Sequence, residues 1–287
     1  MIPPFQYSLP KTLSEACQLL WDASGRAKVI AGGTDLVISL RNGGLTPSCL
    51  VDLTHLKELR GIEVSNGGLS IGAAVSHSEI ASSPTVRQFA GILSEAASQI
   101  GSPQIRNLGT LGGNIVNASP AADTLPPLLV LEAVGRVVSL KGERDVPVSR
   151  LLLGPYRTAL QPYEILTRIS FKKIPEGMRW VFIRLARREA MAIARMSLAL
   201  LLRMDGGRIE EVRIAPGAVL PHPDRLIEVE EFLKGKTPEE ALLKEASKKV
   251  SEAVIRRSGI RPSTSYKAPV LEALFLRAMR EVLQKDS

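Results

Sequence analysis

Two glycine pairs mark where this 287-residue chain could hold a ligand. The first is Gly32-Gly33 in KVIAGGTDLVISL, Lys28 to Leu40. The second is Gly112-Gly113 in LGTLGGNIVNASPAAD, Leu108 to Asp123. Glycine has no Cβ, so a pair of them lets backbone N–H groups face an anion closely. At the first pair Thr34 adds a hydroxyl donor, and a helix starting at Thr34 or Asp35 would add its free N–H groups. That set suits a pyrophosphate. Taken alone, the same residues fit better a tight turn with Thr34 or Asp35 as helix cap. The second pair has hydroxyls at Thr110 and Ser119 and an amide at Asn114. Asp123 follows thirteen residues after Thr110. It could accept hydrogen bonds from sugar hydroxyls, or cap the helix that the next residues form.

Other chemistries lack their residues. No G-x-G-x-x-G follows a strand, so a Rossmann fingerprint is unsupported. Gly235-Lys236-Thr237 ends like a P-loop, but Glu230 stands where its first glycine belongs. Cys17 and Cys49 are too few for a disulfide framework or an iron–sulfur cluster. His55, His77 and His222 lack metal-ligand spacing. The formal charge of +8 raises nucleic-acid binding, yet the basic residues are scattered, often beside glutamate, with no aromatic interleaving. A solvated surface, or one facing an acidic partner, is the expectation. No run reaches the roughly 18 apolar residues of a membrane span. MIPPFQYSLPK lacks signal-peptide layout, so a cytoplasmic protein is expected.

The first fifty residues, which carry the first pair, alternate strand and helix. TLSEACQLLWDA opens with a T-x-x-E capping box at Thr12 and Glu15 and keeps helical spacing. AKVIA and SCLVDL read as buried strands, with DLVISLRNGG a glycine-stopped helix between them. GIEVSNGGLSIGAAV reads as a hairpin turning at Asn66-Gly67, and TVRQFAGILSEAASQI as an amphipathic helix. Gly101 to Pro127 is too long and too rich in small residues to be a simple connector. LLVLEAV looks helical, with strands around Val137 and over Ile165–Phe171. From about Pro175, three strands (RWVFIRLA, MAIARMSLALLLRM, RIEEVRIAPGAV) precede three helices, which predicts a separate α+β domain.

Four fragments in this order resemble one family. KVIAGGTDL, IGSPQIRNLGTLGGNIVNASPAAD, YEILTRISF with FIRLARREAMAIARMSLAL, and STSYKAPVLEALFLRAM are similar to the flavin-binding medium subunit of the molybdenum hydroxylases, which include xanthine dehydrogenases and aerobic carbon monoxide dehydrogenases. The resemblance covers nearly the whole chain, and the second fragment is its most specific part. It implies an α+β fold: a vanillyl-alcohol-oxidase-type FAD-binding domain over 1–174, with subdomains of about 1–56 and 57–174. A C-terminal domain of antiparallel sheet and helices would follow over 175–287. It also implies roles. Lys28, Val29, Ile30, Ala31, Gly32, Gly33, Thr34, Asp35 and Leu36 would wrap the pyrophosphate. Thr110, Gly112, Gly113 and Asn114 would complete the phosphate and flavin contacts. Asp123 would match the family's acid toward ribose or ribityl hydroxyls. Ile100 falls where relatives place an aromatic against the flavin nucleotide, and offers apolar contact without stacking. Leu166 would lie against the cofactor. Arg184 falls where some relatives carry lysine, with the charge kept but the geometry changed.

Neither glycine loop holds a His or Cys, so non-covalent FAD is expected. By the resemblance, molybdopterin and [2Fe–2S] clusters would sit on a large and a small partner subunit, in a dimer of heterotrimers. Electrons would pass from the clusters through FAD to NAD or another acceptor. No side chain is assigned as a general acid or base. The rival expectation is a stand-alone FAD oxidoreductase of the same fold.

Overall fold

The computed structural model describes residues 4–188 and 191–285. The chain begins with a parallel sheet of order β1-β3-β2, made of β1 (Gln6–Ser8), β2 (Ala27–Ile30) and β3 (Cys49–Asp52). Helices α1 (Leu13–Asp22) and α2 (Leu36–Arg41) form its crossovers. Thr12 caps α1, its hydroxyl accepting from Glu15 N–H at 3.2 Å. The reciprocal half of the expected capping box is absent: Glu15 Oε2 accepts from Lys11 N–H instead. Ala16, Leu20 and Val51 fill the core of this unit.

A five-stranded antiparallel sheet follows, in the order β4-β5-β10-β6-β7. Its strands are β4 (Ile62–Ser65), β5 (Gly68–Gly72), β6 (Val134–Ser139), β7 (Gly142–Pro147) and β10 (Ile165–Lys172), with a small β8 (Leu152–Gly154) and β9 (Arg157–Thr158) pair beside it. The Asn66-Gly67 hairpin has positive φ at both residues (51° and 70°), as a type I′ turn requires. Between β5 and β6 lie α3 (His77–Ser82), α4 (Pro84–Ser98), α5 (Pro103–Leu108), α6 (Leu111–Asn117) and α7 (Leu125–Val130), and α8 (Val148–Leu151) follows β7. The glycine-rich stretch is therefore three short helices rather than one long loop. Each begins at its own start signal: Ser102 ahead of Pro103, Thr110, and Thr124 ahead of Pro126.

The C-terminal sheet is antiparallel, with β11 (Met178–Leu185), β12 (Met196–Asp205) and β13 (Arg208–Gly217) in that order. Strand β12 starts at Met196, so Met191–Arg195, expected within a strand, instead belong to the connection from β11. The apolar run of β12 is continuous because both faces are covered. Ala199 and Leu201 join the core of the preceding helices, while Leu198, Leu200 and Leu202 pack under the C-terminal helices. Those helices are α9 (Ile227–Leu233), α10 (Glu240–Ser258) and α11 (Thr264–Gln284). The two halves meet at Trp180 of β11. Helix α4 kinks at Ala90, and a Cβ on the next residue, Gly91, would stand 2.6 Å from Trp180 Cζ2. Lys285 lies over the same indole at 4.8 Å. Among the described residues no helix is long and apolar enough to cross a membrane.

Candidate functional site

The first glycine loop leaves the C-terminal edge of the parallel sheet, where ligands of α/β units bind. Lys28, Val29 and Ile30 remain in β2, with Lys28 exposed; Ala31 to Asp35 make the turn. Asp35 sits at the cap position of α2 without a side-chain cap bond, and the helix begins at Leu36. Thr34 Oγ1 lies 3.4 Å from Asp35 Oδ2. Gly33 has φ of +69°, a conformation that L side chains adopt with strain. Gly32 meets protein: a Cβ there would stand 1.9 Å from the Leu108 carbonyl oxygen. The first loop is thus pressed main chain to main chain against the second.

The second loop is tied into the body of the sheet. His77 N–H donates to Gly109 O (3.0 Å), Leu111 N–H to Val75 O (3.0 Å) and Gly112 N–H to Ala73 O (2.9 Å). Thr110 caps α6, accepting from Gly113 N–H at 3.1 Å. A Cβ on Gly112 would stand 2.8 Å from the Ala73 carbonyl oxygen, so this glycine too is required by backbone proximity. Gly113 is exposed and Asn114 half-buried. Asn114 Oδ1 accepts from the hydroxyl of the fully buried Thr124 at 2.6 Å.

Thr124, not Asp123, takes the cap position of α7. Asp123 turns inward instead. Arg184 Nε donates to its Oδ2 at 3.0 Å, with the two side chains 7 % and 4 % exposed. Asp123 Oδ1 is buried with no hydrogen-bond partner. Burial pushes the carboxyl up to about 6, outweighing the downward pull of Arg184. A buried carboxylate oxygen without a donor is costly, which makes it a ready acceptor for a ligand hydroxyl.

Arg184 also donates through Nη2 to the Ala192 carbonyl, and Met191 N–H donates to Gly101 O (3.2 Å). Half-buried Ile100 precedes Gly101, and its carbonyl accepts from Arg106 Nη1 (2.9 Å). Arg106 therefore shapes the approach to the second loop. These contacts bring Ala31 to Leu36, Ile100, Thr110, Gly112 to Asn114, Asp123 and Arg184 into one connected circuit. Leu166 lies in the main core, its Cδ1 2.7 Å from where a Cβ on Gly135 would be. Its neighbour Thr167 joins it to the circuit, the Thr167 carbonyl accepting from Ala73 N–H (2.9 Å).

Two residues at the site were not singled out from the sequence. Thr124 fixes Asn114; its only sequence signal was a threonine ahead of two prolines. His77 backs the second loop. It is 2 % exposed, its Nδ1 has no partner, and burial, helped by Arg106, pushes it down to about 4. Its signal was the S-x-x-E box of Ser76 and Glu79, which the structure forms in full.

Comparison with known proteins identifies the chain. The FAD binding domain in molybdopterin dehydrogenase matches residues 3–175. This protein belongs to that family. The CO dehydrogenase flavoprotein C-terminal domain matches residues 181–282. The FAD-domain chain is 33 % identical over 283 residues to a glyceraldehyde dehydrogenase medium chain of Sulfolobus acidocaldarius, covering 98 % of this chain and 100 % of the relative. It is 32 % identical over 279 residues to a xanthine dehydrogenase FAD-binding subunit of Escherichia coli O157:H7, covering 96 % and 95 %. Its structure matches carbon monoxide dehydrogenase from Hydrogenophaga pseudoflava with a TM-score of 0.92 at 30 % identity, over 99 % of both chains. The fold is therefore the FAD-binding domain followed by the flavoprotein C-terminal domain.

The circuit fits FAD on this chain's own features. The first glycine loop carries the Thr34 hydroxyl beside a helix start with no side-chain cap bond, and the buried Asp123 Oδ1 lacks a donor. Among the described residues no cluster of His, Cys, Asp and Glu could hold a metal.

Proposed function

We propose that this chain is the FAD-carrying electron-transfer subunit of a molybdenum hydroxylase complex. The observation that carries the reading is Asp123: a buried carboxylate with one unpartnered oxygen, linked through Thr124 and Asn114 to the second glycine loop. Bound FAD supplies the exchange between one-electron and two-electron carriers; the protein supplies position and electrostatics. The residues from Lys28 to Leu36, with Thr110, Gly112, Gly113 and Asn114, hold the phosphates and flavin. Asp123 accepts from a sugar or ribityl hydroxyl. Ile100 and Leu166 give apolar contact, and Arg184 holds the site's charge. The division into 1–174 and 175–287 belongs to the same reading, as does a cytoplasmic location.

In this reading the chain stands between a small [2Fe–2S] subunit and an acceptor, NAD or another, with molybdopterin on a large subunit. The printed names of the relatives support it, since they are medium chains or FAD-binding subunits. Purified complex should be yellow and release intact FAD on denaturation. Folded protein that takes up no flavin would overturn the assignment. A large molybdopterin chain and a small cysteine-rich chain should co-purify. A catalytically competent protein that runs alone on size exclusion would favour the stand-alone oxidoreductase.

A further inference from the structure

We propose that the C-terminal domain carries a second ligand site, an anion site that takes a phosphate group where α10 turns into α11. The site goes beyond the flavin reading and does not depend on it.

A pocket of about 30 Å³ lies between that corner and the chain leaving β13 at Val219. One water needs roughly 10–15 Å³, so there is room for a larger guest. Its polar wall is Ser251, Ser258, Arg261, Ser263, Thr264 and Lys267, and no carboxylate lines it. Ser251 is engaged, donating to Glu272 Oε1 at 2.6 Å. Other groups of the wall keep donors free. Arg261 uses Nε on the Ser258 carbonyl (3.1 Å), which leaves both Nη groups. Lys267 uses one N–H on the Ala218 carbonyl (2.6 Å) and has two more. Thr264 Oγ1 accepts from Arg261 N–H at 2.8 Å and keeps its own hydrogen. The Ser263 hydroxyl makes no cap bond.

Charge points the same way. Burial lowers the Lys267 pKa, and repulsion from Arg261 and Arg195 lowers it further, with no acid opposing them. Arg195 lies over the Tyr266 ring at 5.7 Å. Among the described residues none of these three cations meets a carboxylate. Elsewhere in the same domain Arg203, Arg213, Arg225, Arg256, Arg257 and Arg280 each do. Like charges gathered without an acid repel, and an anion between them removes that cost. A phosphate group suits this set. It accepts on several oxygens at once, from a guanidinium fork, an ammonium and hydroxyls.

The test is calorimetric titration of the full chain with inorganic phosphate, at an ionic strength held constant with chloride. FAD is present so that the glycine loops are occupied, and flavin-stripped chain is titrated beside it. Wild-type protein should bind one phosphate at this site in both states. Arg261→Gln and Lys267→Met should each weaken binding about tenfold, and Lys267→Arg should stay within about threefold. Arg195→Gln should weaken it about threefold, as a charge outside the pocket wall. Lys244→Gln, on α10 but outside the cluster, should change nothing. Lys267→Met also leaves the Ala218 carbonyl without its donor; if that variant unfolds, Arg261→Gln decides alone. Adenosine monophosphate separates two sources of the phosphate group. Tighter binding that Arg261→Gln removes assigns the site to a nucleotide phosphate, and equal or weaker binding assigns it to free phosphate. No heat at millimolar phosphate, binding confined to the flavin-stripped chain, or binding unchanged in Arg261→Gln overturns the site. None of these outcomes touches the flavin reading, which flavin uptake decides by itself.

Discussion

The two glycine loops do the same thing by opposite means. The second is woven into its surroundings by three backbone hydrogen bonds to residues 73–77, a threonine cap and the Thr124–Asn114 bond. The first is half-buried, precedes a six-residue helix with no side-chain cap, and touches its counterpart at Gly32 through main-chain contact. One is a wall and the other a leaf laid against it. Paired glycines therefore have two separate uses here: Gly112 lets a wall be built, and Gly32 lets the leaf close on it.

The sharpest way to break this contrast is to add bulk on each side. Gly32→Val should separate the leaf from the wall, because its Cβ would stand 1.9 Å from the Leu108 carbonyl oxygen. FAD uptake should be lost while thermal stability falls modestly. Gly112→Val, pressed on Ala73, should instead cost about 3 kcal/mol or more in denaturant unfolding. Equal stability losses in the two variants would erase the distinction.

Acid provides the next test, since the wall holds two buried titratable groups that respond in opposite directions. His77, behind the wall, is held down to about 4 by burial and by Arg106. The unfolded chain binds its proton first, so His77 lowers stability as pH falls from about 6.5 toward 4, by about 3 kcal/mol in all. Asp123 is raised by burial, so in flavin-free protein the folded state protonates first and gains stability as pH falls from about 6 toward 4. Wild-type unfolding should therefore vary little between pH 6 and 4. His77→Gln should become more stable on acidification, and Asp123→Asn less. Parallel curves for the two variants would remove the opposition.

Smaller effects refine the picture. Thr124→Val leaves Asn114 Oδ1 without its buried donor and should cost about 1–2 kcal/mol, with FAD affinity falling in step. A stable variant with unchanged affinity would show that Asn114 needs no anchor. Gly33→Ala should cost about 1 kcal/mol through backbone strain alone, since φ is +69° and Val37 Cγ2 would lie 3.3 Å away. A larger loss would mean that Gly33 is as hemmed in as Gly32.

The sequence shows the glycine pairs, the Thr12 cap and most strands, because each rests on local chemistry. AKVIA, SCLVDL and the Asn66-Gly67 hairpin lie where their patterns place them. The helices α5, α6 and α7 are six or seven residues long, too short for a 3.6-residue period to emerge. Asp123 illustrates the limit at the site. Its local pattern allows a cap or a ligand contact, and only the arrival of Arg184 from sixty-one residues away decides against the cap. The partner of Gly32 is a backbone carbonyl, which no residue type signals. The isolation of His77 Nδ1 is likewise a product of tertiary burial.

One joint gives the molecule its own optical gauge. The chain has two tryptophans. Trp21 of α1 sits edge-on to Tyr163 at 5.0 Å, whereas Trp180 is seated in the notch of Gly91 under Lys285. Trp21→Phe would leave Trp180 as the single indole. Its emission would then report, without an added label, whether the C-terminal sheet stays seated on α4 as flavin enters and leaves.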